Sequence, residues 1–118
     1  MQTRVPDDKH LDHASRLLKA MGNRRRLHIL CLLSTGERRV GELEDLVGLS
    51  QSALSQHLAR LRHDGLVNTR RQAQTIFYSL AGEHVRAVLA ALDHVQPAAR
   101  RPAETMEMIQ AVPAVATR

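Results

Sequence analysis

A mainly α-helical chain with one small β-hairpin is the fold class this sequence predicts, and three observations predict it. Apolar residues recur at helical spacing in five short segments between Leu11 and Val95. Phe77 and Tyr78 are the only aromatic residues, so the core must be built from Leu, Val, Ile, Ala and Met. Of these, Leu, Ala and Met lose little rotamer freedom in a helix. One stretch alone, from Val67 to Leu80, alternates apolar and polar residues as half-buried strands do. At 118 residues the chain has room for one compact domain and little more.

The elements follow in order. Pro6-Asp7-Asp8 reads as a helix start, and Leu11, Ala14, Leu17, Leu18 and Met21 follow as its apolar stripe. "MGN" breaks that helix, and Asn23 is placed to cap a second one, whose apolar face is expected to hold Leu27, Leu30, Cys31 and the leucines up to Leu33. "STGE" ends it. Val40 to Val47, "VGELEDLV", predicts a short amphipathic helix with Leu43, Leu46 and Val47 inward. Gly48 stops it, Ser50 is a good N-cap, and the next helix is expected to run to about Asp64, with Gly65 ending it. A helix, a short turn containing Gly and a second helix make a helix-turn-helix in outline. "LVNTRR" and "QTIFYSL" then read as two strands around Gln72-Ala73, with Val67, Thr69, Ile76, Tyr78 and Leu80 alternating, in the position of a wing. Gly82 to Val95 predicts a last helix with Val85, Val88, Leu89, Leu92 and Val95 in one stripe. We therefore expect a winged helix-turn-helix domain over residues 1–96. Residues 97–118, with three prolines and many alanines, are expected to form a largely disordered tail.

Charge points to a partner. The formal net charge is +5, and every basic residue but Lys9 and Lys19 is arginine, whose planar fork suits phosphates and guanine edges. On a helix turning about 100° per residue, Leu54, Leu58 and Leu61 fall together and must pack inward. The opposite side then carries Ser52, Gln56, Ala59 and His63, flanked by Ser55 and Arg60. Most polar helix faces meet only water. Here the helix pair, a basic hairpin and the arginine excess coincide, and together they predict binding to double-stranded DNA. Gln51, Ser52, Ser55, Gln56 and His57 are the candidates near bases, Gln56 by a bidentate pair with adenine. Arg60 and Arg62 are the candidates for backbone phosphates, and Arg70, Arg71, Gln72 and Gln74 for contacts from the hairpin.

These residues also carry a family resemblance. "LLKAMGNRRRLHILCLL", "VGELEDLVGLSQSALSQHLARLRHDGLV" and "TRRQAQTIFYSL" resemble the ArsR/SmtB family of small bacterial repressors over about Leu11 to Val95, and within it the thiol-responsive HlyU/BigR branch. The resemblance implies a winged-helix homodimer, joined through the first and last helices, that represses from a palindromic operator until an inducer weakens binding. The apolar stripes on the first and last helices agree with such an interface.

The resemblance also frames the sensor question. Cys31, in "HILCLL", matches a cysteine of the thiol-responsive branch, whose second cysteine would lie at the end of the last helix; near Pro97 this chain has none. With one cysteine, no intrachain bridge can form. What is left is single-thiol chemistry such as a sulfenic acid or mixed disulfide, helped by His28 one turn earlier, a bridge between chains, or simple packing of a small side chain on a leucine-rich helix. The family's arsenic-type cysteine pair would fall around Arg39 to Gly41, where no cysteine stands. Glu83, His84, Asp93 and His94, or His10 and His13, do not reproduce the family's zinc spacing, so we expect no metal site and no cofactor. Without a phosphate loop, a paired-carboxylate constellation or a nucleophile motif, enzyme activity is not expected. No apolar run is long enough for a membrane helix and "MQTRVPDDKH" lacks the apolar stretch of an export signal, so we expect a cytoplasmic protein. Two alternatives stay open at this point: a winged-helix DNA-binding protein with no inducer response, and a protein-interaction module.

Overall fold

The computed structural model describes residues 4–95, and in it local capping chemistry sets where the helices begin. The Asp7 carboxylate accepts the His10 backbone amide at 2.9 Å and opens α1 (Asp8–Met21). The Asn23 side chain accepts the amides of Arg25 and Arg26, at 2.9 and 3.1 Å, and opens α2 (Arg24–Leu33). Glu42 reaches back to the Arg39 amide at 3.0 Å at the head of α3 (Val40–Val47). The Ser50 hydroxyl accepts the Ala53 amide at 3.2 Å and starts α4 (Gln51–His63). Each side-chain oxygen satisfies a donor that the first helical turn leaves without a backbone partner.

Glycines set the turns on either side of α4. Gly48, at φ 75°, ends α3 in the left-handed conformation that permits the two-residue connection to Ser50. At the other end Gly65, at φ 78°, donates to the Arg62 carbonyl while Leu66 donates to the Leu61 carbonyl at 2.9 Å. That is a Schellman closure, and it brings buried Leu66 back toward buried Leu61. The chain leaves α4 already aimed into the sheet.

Three antiparallel strands complete the domain: β1 (Arg38–Arg39), β2 (Val67–Gln72) and β3 (Thr75–Leu80), in the order β1-β3-β2. Val67 opposes Leu80, Thr69 opposes Tyr78 and Arg70 opposes Phe77, while β1 sets Arg39 against Phe77 on the other side of β3. The expected hairpin is therefore the larger part of a three-stranded sheet. A two-residue strand is too short to show a period, and its pairing lies almost forty residues away in the chain, so β1 left no local signal.

Up to Ala87 the residues form one compact unit. Its core joins Ala20 and Met21 of α1, Ile29, Leu30 and Leu33 of α2, Leu43 and Val47 of α3, Leu54, Leu58 and Leu61 of α4, and Leu66, Val67 and Leu80 around the sheet. Helix α2 sits at the centre, touching α1, α3, α4 and β3. Val85 in the first turns of α5 (Glu83–Leu92) is also buried. The second unit begins at Val88, and its described part ends at Val95, with Leu92 and Val95 exposed. Expectations for residues 97–118 fall outside the described residues. Among those described, no helix is long and apolar enough to cross a membrane.

Several side chains expected inward point elsewhere. Ile29 takes the core position on α2 and Cys31 is exposed, because Ile29, Leu30 and Leu33 span one arc of the helix and residue 31 falls about 200° from Ile29. Leu46 on α3 is 48% exposed; Leu43 and Val47, one turn apart, suffice to seat so short a helix. On α1, Leu11 and Leu18 are exposed at 47% and 57%, whereas Ala20 and Met21 are buried. The last helix stops at Leu92 rather than Val95.

The two-residue turn between β2 and β3 places Ala73 at φ 58°, the one non-glycine residue with positive φ among those described. A Cβ there costs about 1 kcal/mol, and glycine is the residue such hairpin turns favour. Ala73→Gly is expected to raise the unfolding free energy by about 0.5–1 kcal/mol, read from urea denaturation; a loss of stability would contradict the turn geometry.

Candidate nucleic-acid interface

With Leu54, Leu58 and Leu61 fully packed, the rest of α4 is distributed by the helical turn alone. Ser52, Gln56, Ala59, Arg60 and His63 are exposed and form the crest opposite the leucines, and Gln51 is exposed at the helix start. Of the residues expected near bases, the structure brings Ser52 and Gln56 onto this outward side, while Gln51 falls by the helical turn on the flank of Ser55 and Arg62. The side chains near the helix start are short or carry amides, which is the shape and chemistry a major groove accepts.

Ser55 and Arg62 lie on one flank. With Val40, Leu58, Ala59, His63 and Tyr78 they line an open cleft of about 440 Å³ between α4, the head of α3 and β3. The Arg62 guanidinium makes no hydrogen bond or ion pair among the described residues. It stands at the rim of the cleft between helix and sheet.

His57 lies on the opposite flank and is half-buried. Burial, followed by the positive charges of Arg26 and Arg25, pulls its pKa below the ordinary histidine value, so the imidazole is neutral at pH 7. It faces the head of α2 more than the crest. Those arginines form a basic group that the reading of the hairpin and α4 passed over. Arg25 donates to the Val47 carbonyl at 3.3 Å, and Arg26 donates to the Ala20 and Lys19 carbonyls at 2.7 and 3.3 Å. The run Arg24-Arg25-Arg26 was the available signal; what a sequence lacks is the packing that sets it beside α4.

The other expected phosphate ligands separate into engaged and unengaged groups. Arg60 donates from Nε to the Asp64 carboxylate at 2.6 Å, and Asp64, whose side chain is 4% exposed, also meets His63 Nδ1 at 3.4 Å. The hydrogen bond from Arg60 holds the Asp64 carboxyl below the ordinary carboxylate value, against the opposing effect of burial. In the hairpin, Arg70 forks onto Glu37 with bonds of 2.7 and 2.8 Å, lies 4.4 Å over the Phe77 ring and donates to Gln72 at 3.0 Å. Its hydrogen bond holds the Glu37 carboxyl below the ordinary value. Arg71 shares the other sheet face with Ile76, is exposed and has no such partner among the described residues. Gln74 is exposed at the turn.

Cys31 stands apart from this surface. It is exposed near the end of α2, its carbonyl accepts the Ser34 hydroxyl at 2.6 Å, and His28 one turn earlier is half-buried. Among the described residues no three of His, Cys, Asp and Glu gather as metal ligands.

Comparison with known proteins agrees with this geometry. The pattern of the bacterial regulatory proteins of the arsR family matches residues 23–69. The transcriptional activator HlyU of Vibrio cholerae is 58% identical over 85 residues, 72% of this chain and 79% of the relative. Its solved structure superposes with a TM-score of 0.71 over 73% of this chain and 94% of its own, at 57% identity. The biofilm growth-associated repressor of Xylella fastidiosa is 40% identical over 90 residues, 76% of this chain and 79% of the relative. A solution structure from Mycobacterium bovis, described as a homodimeric winged helix-turn-helix DNA-binding domain of a possible ArsR-family regulator, matches with a TM-score of 0.68 at 35% identity, over 77% of this chain and 87% of its own.

The His57 environment carries a pH signature. With the folded pKa below the unfolded value of about 6.5, stability that depends on neutral His57 is complete above that pH and is lost as pH falls through the folded pKa. We expect an NMR titration midpoint for His57 below 6.5 that rises in Arg26→Gln, and a smaller acid-side loss of unfolding free energy in His57→Gln. A midpoint at or above the ordinary value would contradict the placement of that ring.

Proposed function

Because the chain belongs to the arsR family of bacterial regulatory proteins and is a winged-helix DNA-binding transcriptional regulator, we propose that it acts as a homodimeric repressor on a palindromic operator. In this reading α4 of each protomer enters a major groove, with Gln51, Ser52 and Gln56 toward the bases. Ser55 and Arg62 meet the backbone from the cleft flank, and Arg71 and Gln74 reach it from the hairpin. His57 and Arg60 act from the edges of the helix. The observation that carries the reading is the exposed, compact polar crest of α4, held outward by three buried leucines.

Pairing is supported by exposed Leu11 and Leu18 on α1, by exposed Leu92 on α5, and by the homodimer of the Mycobacterium bovis relative. A two-fold protein asks for two half-sites about one helical turn, roughly 34–36 Å, apart. The direction of regulation follows the Xylella fastidiosa relative, a repressor, while the Vibrio cholerae relative carries the name of an activator.

A further part of the reading concerns release. Cys31 is the one thiol of the chain, and its exposure on α2 favours reaction with an oxidant or reactive sulfur species over a packing role. The thiolate would attack one peroxide oxygen, forming the sulfenic acid and releasing hydroxide, and a small thiol would then attack that sulfur, releasing water and leaving a mixed disulfide. Operator affinity is expected to fall in oxidised wild-type protein and to stay constant in Cys31→Ser; a response that survives the substitution removes Cys31 from the mechanism.

The DNA contacts are tested on duplexes selected from a random pool by the wild-type protein. Gln56→Ala is expected to reduce the preference for the selected duplex over random DNA by about 1–3 kcal/mol. Arg71→Ala is expected to weaken both duplexes alike and to lower the salt dependence by about one phosphate, a slope change near 0.9. Equal losses from Gln56→Ala on both duplexes, or binding indifferent to salt, would refute the assignment.

A further inference from the structure

Arg70 has the charge of a phosphate ligand and the position of one, yet its guanidinium is already engaged on three sides. Two of its nitrogens donate to the two Glu37 oxygens, Nη1 also donates to Gln72, and the Phe77 ring lies beneath. The sheet register shows why these groups meet. Arg70 opposes Phe77, Arg39 opposes Phe77 from the other side, and Glu37 stands two residues before Arg39, on the same sheet face. One side chain therefore spans from β2 across β3 to the chain entering β1. Strand β1 pairs with β3 only at Tyr78 and Phe77, so from Ile76 outward the hairpin has no neighbouring strand on that side among the described residues.

We propose that Arg70 is a positioning residue of the wing: clamped by Glu37 over Phe77, it sets the angle at which Arg71 and the Ala73-Gln74 turn meet the duplex, and it gives no charge to a phosphate itself. This rests on the DNA-binding reading above and assigns a role within it. An exposed ion pair adds little to stability; a planar fork over a ring instead defines direction, because both bonds and the stacking distance hold only in one orientation. The arginine excess is then divided by task. Arg71, next in sequence and on the opposite sheet face, is the charge the wing delivers.

The test uses the full chain with the substitutions Glu37→Gln, Arg70→Gln and Arg70→Lys and the double variant Glu37→Gln/Arg70→Gln, with unfolding midpoints measured alongside. Affinity for the duplex selected by the wild-type protein is expected to fall roughly three- to tenfold in each single variant, and no further in the double variant, as groups acting through one contact do. Arg70→Lys is expected to behave like Arg70→Gln, since a point charge cannot make the fork, and the salt slope is expected to stay at the wild-type value in all four. In DNA-free protein, amide hydrogen exchange from Arg70 to Ile76 is expected to quicken in Glu37→Gln. The proposal is overturned if Arg70→Lys binds as wild type while Arg70→Gln lowers the salt slope by about 0.9. Tighter or unchanged binding of Glu37→Gln overturns it as well. Unaltered exchange in the free protein does so without reference to DNA, and so separates failure of the clamp from failure of the DNA-binding reading, which the Gln56→Ala comparison decides.

Discussion

Burial of Leu54, Leu58 and Leu61 along one line of α4 is the constraint on which the interface depends. A buried leucine side chain is worth about 1.5–3 kcal/mol relative to an exposed one, so three on one stripe leave the helix no freedom to roll. The polar crest is consequently exposed by default. The same packing sets the flanks: Ser55 and Arg62 reach the cleft beside Tyr78, and His57 turns toward the arginines of α2. The exposed polar crest and the buried leucines are two sides of one helical period.

Much of this was legible beforehand, for reasons that can be named. Asn23 and Ser50 are short polar residues just ahead of apolar periods, and each caps the helix expected of it, while α1 begins where Pro6-Asp7-Asp8 marked a start. Gly48 and Gly65 end α3 and α4 where glycine alone turns without cost. The crest of α4 followed from counting 100° steps. What escaped was set by tertiary contact. Residues Arg38 and Arg39 become a strand only because Tyr78 and Phe77 offer an edge. Ile29 displaces Cys31 from the core because α2 is gripped by α1, α3, α4 and β3 together. No pattern announced that Ala73 would take a left-handed turn in place of the Asn-Gly or Gly-Gly that usually marks one.

Net charge was the least informative of the useful signals. It indicated an anionic partner, but the structure divides the arginines by occupation. Arg25 and Arg26 secure backbone carbonyls, Arg60 holds Asp64, and Arg70 holds Glu37, whereas Arg62 and Arg71 have no such engagement among the described residues. Counting basic residues overstates the charge offered to a duplex, because a guanidinium already forked onto a carboxylate must surrender that bond first. The carboxylates on such arginines accordingly have depressed pKa values, which records the same engagement from the acid side.

The Arg26 side chain, closing the last carbonyls of α1 while its own backbone amide is held by Asn23, has a mechanical consequence. The corner between α1 and α2 is pinned from both arms, like a brazed elbow in place of a hinge. In a pair of chains joined along α1, the span between the two reading heads would be inherited from that joint, as the gap of a pair of calipers is inherited from its pivot. A small tilt at the seam would arrive at the far tips undiminished.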